Sequence, residues 1–382
     1  MKTPKFYIVL LLILMSQQRV VGQTEMETQS LIRQYQFEKA IVSLSNCSTT
    51  GCRLDLAYCQ TKVGRIKEAI ENYQAILDQD PNNALAMMSL ANLYEKTNKL
   101  YQAKKSYQSL LNIDSTNAFV YKSYAMLCLK LTEDSLAKIY FKKAITISPS
   151  DAESIAELGK LFVKADSLSE AKVLIKKGLL LDSTYITFWQ LNARVNYRES
   201  KFKPVVSSIK KAMALGDSSV GYQQLLGYAY FYLDSIPQSV ACFERVLKVE
   251  MESEPAFFYL GLCYTKLKKE DLAIQYFQQA INAGLSDDLP KYYERIGFID
   301  EKNARYNNAL EAYQKALEYS GKADYLYLIA RVNDWKSTDK SKALKLYKQY
   351  MLSKNKKNNE YISLATERIK ELETVNIAKA KP

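Results

Sequence analysis

A small residue returns every 34 positions along most of this chain: Ala69, Ala103, Ala137 and Ala171, then Val205, Ser239 and Ala273, and, after a two-residue insertion, Ala309 and Ala343. Four residues after each stands a large apolar side chain, as at Tyr73, Tyr107, Phe141, Phe243, Phe277 and Tyr313, and three further on comes another core position such as Ile76, Leu110 or Ala144. Offsets of four and three trace one face of a helix. Twelve residues before the series lies a second small residue: Ala57, Ala91, Ala125, Gly159, Ala193, Gly227, Gly261 and Gly297. Each unit therefore reads as a helical hairpin whose backbones approach closely at two small positions. A larger side chain there would overpack, at about 1–3 kcal/mol. One hairpin cannot bury its apolar face alone, so the units must stack.

Composition agrees. Apolar residues make up 48% of the 382, while Gly (12) and Pro (8) are scarce, which argues against low-complexity disorder and against a loop-rich β fold. Pro81 and Pro149 fall just past second helices, where Pro ends a helix and presets a turn.

The period of 34 and the small–aromatic–Ala–aromatic–Ala–Pro pattern resemble the tetratricopeptide repeat. Residues 86–117 and 257–284 carry the resemblance most clearly, and it extends over nearly all of the chain past the N-terminal stretch. It implies an all-α, right-handed α-solenoid of nine repeats: 50–83, 84–117, 118–151, 152–185, 186–219, 220–253, 254–287, 290–323 and 324–357. A degenerate hairpin over 23–49 is expected to cap one end. A helix over 358–376, with Tyr361, Leu364, Ala365 and Ile369 facing the last repeat, is expected to cap the other, followed by a flexible tail at 377–382. Two positions break the pattern. Arg331 stands at a small site and Asn192 at a large one.

The N-terminus has the layout of a cleavable secretory signal: Lys2 and Lys5, an apolar run over residues 6–15, then Val20 and Gly22 ahead of Gln23. About ten apolar residues are too few to span the roughly 30 Å of a bilayer core. Cleavage before Gln23 would deliver the chain to a periplasmic or envelope compartment. It would also remove three of 53 basic residues and none of 41 acidic ones, so the formal charge of +12 would fall to +9. In that compartment acidic proteins, glycans or lipid headgroups are better partners for a basic chain than nucleic acid. There Cys47 and Cys52, on either side of a Ser-Thr-Thr-Gly turn, could bridge; two free thiols are the alternative.

Nothing in the chain points to catalysis. It holds no His, no CxxC pair, no Gly-rich phosphate loop and no GxSxG, so neither metal nor cofactor is expected. The expectation is a non-enzymatic scaffold that binds an extended segment of an envelope protein. The alternative is a glycan- or polyanion-binding module.

In the family the resemblance points to, the first helix of each hairpin lines the concave wall. Lys122, Lys160 and Arg194, followed by Tyr197, Tyr228 and Phe231, form the candidate groove, with cations at one end and rings at the other. A column of cations at repeat position 13 (Lys62, Lys96, Lys130, Lys164, Arg198, Lys266, Lys302, Lys336) is better explained by helix C-termini, where a positive charge complements the dipole.

Overall fold

The computed structural model describes residues 26–45, 49–284 and 287–379. The signal segment and Cys47 lie outside them, and with Cys47 the expected Cys47–Cys52 bridge. Every regular element among the described residues is a helix, with no strand. A first helix, α1, covers residues 26–33 and is followed by α2 (Phe37–Leu44). Nine hairpins come next. Their first helices are α3 (Thr50–Lys62), α5 (Ala84–Lys96), α7 (Ala118–Lys130), α9 (Ala152–Lys164), α11 (Ile186–Arg198), α13 (Val220–Tyr232), α15 (Glu254–Lys266), α17 (Leu289–Lys302) and α19 (Asp324–Lys336). The second helices are α4 (Ile66–Gln79), α6 (Leu100–Ile113), α8 (Asp134–Ile147), α10 (Leu168–Leu181), α12 (Phe202–Ala214), α14 (Ile236–Leu247), α16 (Glu270–Ala283), α18 (Tyr306–Ser320) and α20 (Ser341–Leu352). The chain ends on α21 (Asn359–Lys379). It divides within α11 into two compact units, one ending at Leu191 and one beginning at Asn192, and each is a stack of such hairpins.

The recurring small residues sit where the helices touch. Ala69, Ala103, Ala137, Ala171 and Ala273 are wholly buried, as are Tyr107, Phe141, Phe243 and Phe277. Three glycines of the first helices, Gly227, Gly261 and Gly297, receive such rings. A Cβ on Gly261 would come within 2.6 Å of Phe277, and one on Gly227 within 2.8 Å of Phe243. Ser239 replaces an alanine without leaving a polar orphan, because its hydroxyl donates to the Gly227 carbonyl at 2.9 Å.

The turn is built the same way inside eight of the nine hairpins, whereas between α19 and α20 Ser337 is extended. One residue adopts a left-handed conformation (Gly64, Asn98, Thr132, Asp166, Ser200, Asp234, Lys268, Ala304), and the next N–H bonds back to a carbonyl five residues earlier, as Lys99 does to Tyr94 and Glu133 to Cys128. This is a Schellman closure, which favours glycine at the left-handed site. Only Gly64 supplies one. Thr132 is the worst fitted, because a β-branched side chain at φ +59° crowds its own backbone. Replacing Thr132 with Gly is expected to stabilise the fold by about 0.5–1 kcal/mol, the relief of strain exceeding the extra entropy of an unfolded glycine. A raised chemical-denaturation midpoint for T132G checks this; an unchanged or lowered one counts against it.

At the N-terminal end Ala40, Ile41 and Leu44 of α2 pack on Cys59. At the other end Tyr361 stacks on Tyr327 with centroids 4.4 Å apart, and Ala365 and Leu372 are buried. Leu364, expected to face the last repeat, is instead 41% exposed; Leu372, two turns on, takes the inward place. The helix also runs on to Lys379, through the first residues of the expected tail, since no breaker stands before Pro382.

Both departures from the repeat pattern are satisfied by polar bonds. Asn192 donates to the Ser208 hydroxyl at 2.9 Å. Arg331 cannot fit a small site, so its guanidinium leaves the seam and forks onto Glu301 at 2.7 and 2.8 Å.

Candidate functional site

Of the six candidate groove residues, Lys122 and Lys160 belong to the first unit, and Arg194, Tyr197, Tyr228 and Phe231 to the second. The two lysines are already paired within the chain. Lys122 bonds Glu153 at 3.0 Å and lies 3.5 Å from Asp151, while Lys160 reaches Glu157 one turn back at 2.6 Å. A ligand carboxylate at either would have to displace a resident one.

Four of the eight position-13 cations are likewise paired, which is more than dipole compensation. Lys130 bonds Glu95 (2.5 Å), Lys164 bonds Asp134 (2.5 Å), Lys266 bonds Asp234 (2.7 Å) and Lys302 bonds Glu270 (2.8 Å), each partner lying 30–35 residues upstream. These four pairs each tie a hairpin to the one before it.

In the second unit the aromatic residues form a partly open cluster. Tyr197 and Tyr228 have ring centroids 6.1 Å apart, Tyr228 lies 4.5 Å from Tyr259, and Phe231 meets Tyr259 edge-on at 5.3 Å. Tyr228 also packs on the core ring of Phe243 at 5.4 Å, so it serves packing and surface at once. Burial pushes its hydroxyl up to about 12. Arg194 lies 5.3 Å over the Tyr222 ring.

Next to this cluster is a cleft of about 320 Å³, lined by Phe231, Leu262, Thr265, Lys266, Arg295, Phe298 and Ile299 from the first helices α13, α15 and α17. Lys266 spans 4.9 Å over the Phe231 ring, and Phe298 is 54% exposed. Arg295 is exposed and makes no ion pair among the described residues. The sequence reading missed Arg295 because it stands at repeat position 6, outside the wall-lining positions; its signal was an arginine three residues before an outward phenylalanine.

No group of three or more metal-ligating side chains is found among the described residues. The thiols of Cys59, Cys128 and Cys242 are buried and free, and burial raises each to about 11. They act as small core side chains.

Models of the tetratricopeptide repeat match residues 60–127, 121–151, 225–289 and 290–322. No curated protein matches the chain. Among solved structures, the C-terminal part of a TPR repeat-containing protein from Cytophaga hutchinsonii is 16% identical with a TM-score of 0.52, covering 68% of this chain and 98% of that one. A tetratricopeptide repeat protein from Parabacteroides merdae is also 16% identical, with a TM-score of 0.47 over 65% of this chain and 98% of that one. The first shares the fold. Hairpins that recur every 34 residues, seat a ring against a small residue and match the repeat models in both units place the chain in the tetratricopeptide-repeat family.

Proposed function

We propose that the chain is a non-enzymatic interaction scaffold of the bacterial envelope, acting in the periplasm and taking an extended segment of a protein partner along its first helices. Tetratricopeptide-repeat proteins bind protein partners and are generally not enzymes. The observation that supports a peptide ligand is the cleft beside Phe298. It sets an unpaired guanidinium next to exposed aromatic surface, the combination that holds an acidic side chain beside an apolar one. Among the described residues no helix is long and apolar enough to cross a membrane.

A photo-crosslinking residue in place of Phe298, introduced in the native host, should trap one discrete protein adduct that disappears when Arg295 is changed to Glu. The same residue at Leu352, which is 85% exposed on α20, should trap none. If glycan is captured in place of protein, or the adduct survives R295E, the peptide reading fails and the glycan-binding alternative gains. For the compartment, mature protein isolated from the envelope fraction should begin at Gln23. It should also show four titratable thiols after denaturation rather than six, because Cys47 and Cys52 are proposed to be bridged. Six thiols, or a retained Met1, would count against that placement.

A further inference from the structure

Outside the first-helix face, the charge of the first unit is segregated. Its second helices α6, α8 and α10 carry eight lysines and only two acids, Asp134 and Glu170, with no arginine. Asp134 is already bonded to Lys164, and the Glu170 carboxylate is held by the Ser169 hydroxyl. Lys104 pairs with Glu133, but Lys105, Lys138, Lys142, Lys143, Lys176 and Lys177 make no ion pair among the described residues. The other second helix of this unit, α4, has the opposite balance, with Lys67 against Glu68, Glu71 and Asp78. The basic surface is therefore a property of three consecutive hairpins and not of second helices in general.

Large apolar side chains project from this same basic surface. Tyr101 is 68% exposed, Ile139 50%, Val173 68% and Leu180 80%. Their placement is regular: Lys105, Ile139 and Val173 share one repeat position, and Lys142 and Lys176 share another three residues on. Cations and apolar tips thus alternate over a surface that no element of the described chain covers.

We infer that this second-helix face of the first unit docks on an anionic lipid surface, with the lysines over the headgroups and Tyr101, Ile139, Val173 and Leu180 entering the interfacial layer. The charge complementarity is diffuse. Lysine is a hydrated point charge without the planar fork that arginine offers a fixed carboxylate or phosphate, so a lysine-only surface suits headgroups that can rearrange beneath it. Isolated apolar tips between the cations add the insertion step by which amphipathic surfaces hold a bilayer. A defined acidic protein would be better met by arginines, and none is present on α6, α8 or α10; the cleft that α6 borders with Ser109, Asn112 and Ile113 is lined by no lysine.

Sedimentation of the purified protein with vesicles of phosphatidylcholine containing 40% phosphatidylglycerol tests this. Binding is expected to exceed that to pure phosphatidylcholine at least tenfold and to fall as salt rises from about 0.1 to 0.5 M. The variant K105E/K142E/K176E should lose at least tenfold in vesicle affinity with an unchanged helical melt. V173S/L180S should weaken binding in a way that high salt does not mimic. R295E, on the other unit, should have no effect, which separates this surface from the peptide cleft. Equal binding to neutral vesicles, or full binding by the triple reversal, would overturn the inference. Binding to polyglutamate with none to vesicles would also overturn it, pointing to an acidic protein instead.

Discussion

Raising the pH from 9 to 11.5 should unfold this protein, with most of the loss of helical signal falling between about pH 10 and 11.5. The chain carries 29 tyrosines, many of them in the seams between helices. Tyr107, Tyr124, Tyr313 and Tyr347 are essentially inaccessible. Burial holds each hydroxyl well above its ordinary value, and at Tyr107 and Tyr313 a bonded carboxylate, Glu95 or Glu301, adds to it. Cys59, Cys128 and Cys242 are raised to about 11 by the same desolvation.

The sign follows from proton binding. Unfolded thiols and phenols lose their protons near pH 8.5 and 10, whereas the folded ones keep theirs. Above those values the unfolded state binds fewer protons, so stability falls as pH rises, by about 1.4 kcal/mol per pH unit for each such group. Two of these tyrosines stand in each unit and remove about 3 kcal/mol from it per pH unit. Cys59 and Cys128 in the first unit and Cys242 in the second add to the loss, against about 5–15 kcal/mol for a domain's net stability. Phenolate absorbance at 295 nm should therefore rise together with the loss of circular dichroism, while in urea it should rise near pH 10. Tyr124→Phe, which removes one inaccessible titrating group, should move the alkaline midpoint upward. Helical signal that persists to pH 12 while most phenols titrate near 10 would show that the seams are open to water.

The fold was legible because its constraint is local and repeated. A hairpin that seats a ring on a small residue must keep both at fixed offsets, and Ala69, Ala103, Ala137 and Ala171 advertise those offsets in any reading of the chain. The groove was less legible, because a side chain's availability depends on partners a repeat away. Lys122 and Lys160 read as free cations until Glu153 and Glu157 are seen to hold them. The position-13 lysines read as helix ends, yet their acids stand 30–35 residues upstream, a spacing with no meaning until consecutive hairpins are stacked. Arg295 shows the converse. Position alone gave no reason to notice it, and it is available only because no acid lines the cleft it enters.

The largest single-residue effect on stability is expected at Glu301, whose side chain is only 3% exposed. It accepts both prongs of Arg331 and, at 2.6 Å, the hydroxyl of Tyr313. Glu301→Ala leaves a largely buried guanidinium and a buried hydroxyl without their acceptor, which costs about 3–5 kcal/mol when a buried pair loses one member. In a solenoid, where each hairpin contacts mainly its neighbours, the loss should be regional. Amide exchange should quicken in α17 to α19 while α3 to α9 keep their protection. Replacing both members, as E301M/R331M, should recover most of the loss, because two apolar side chains of similar volume need no partners, and that recovery separates a charge left stranded from a cavity. The pair also braces the wall: Trp335, 56% exposed, lies 5.4 Å from the Arg331 guanidinium, which Glu301 holds in place. Glu301→Ala should therefore broaden and red-shift tryptophan emission below the unfolding transition, while E301M/R331M should shift it without destabilising the fold. A wild-type melt for Glu301→Ala would mean that water reaches this pair and that Arg331 is a surface residue.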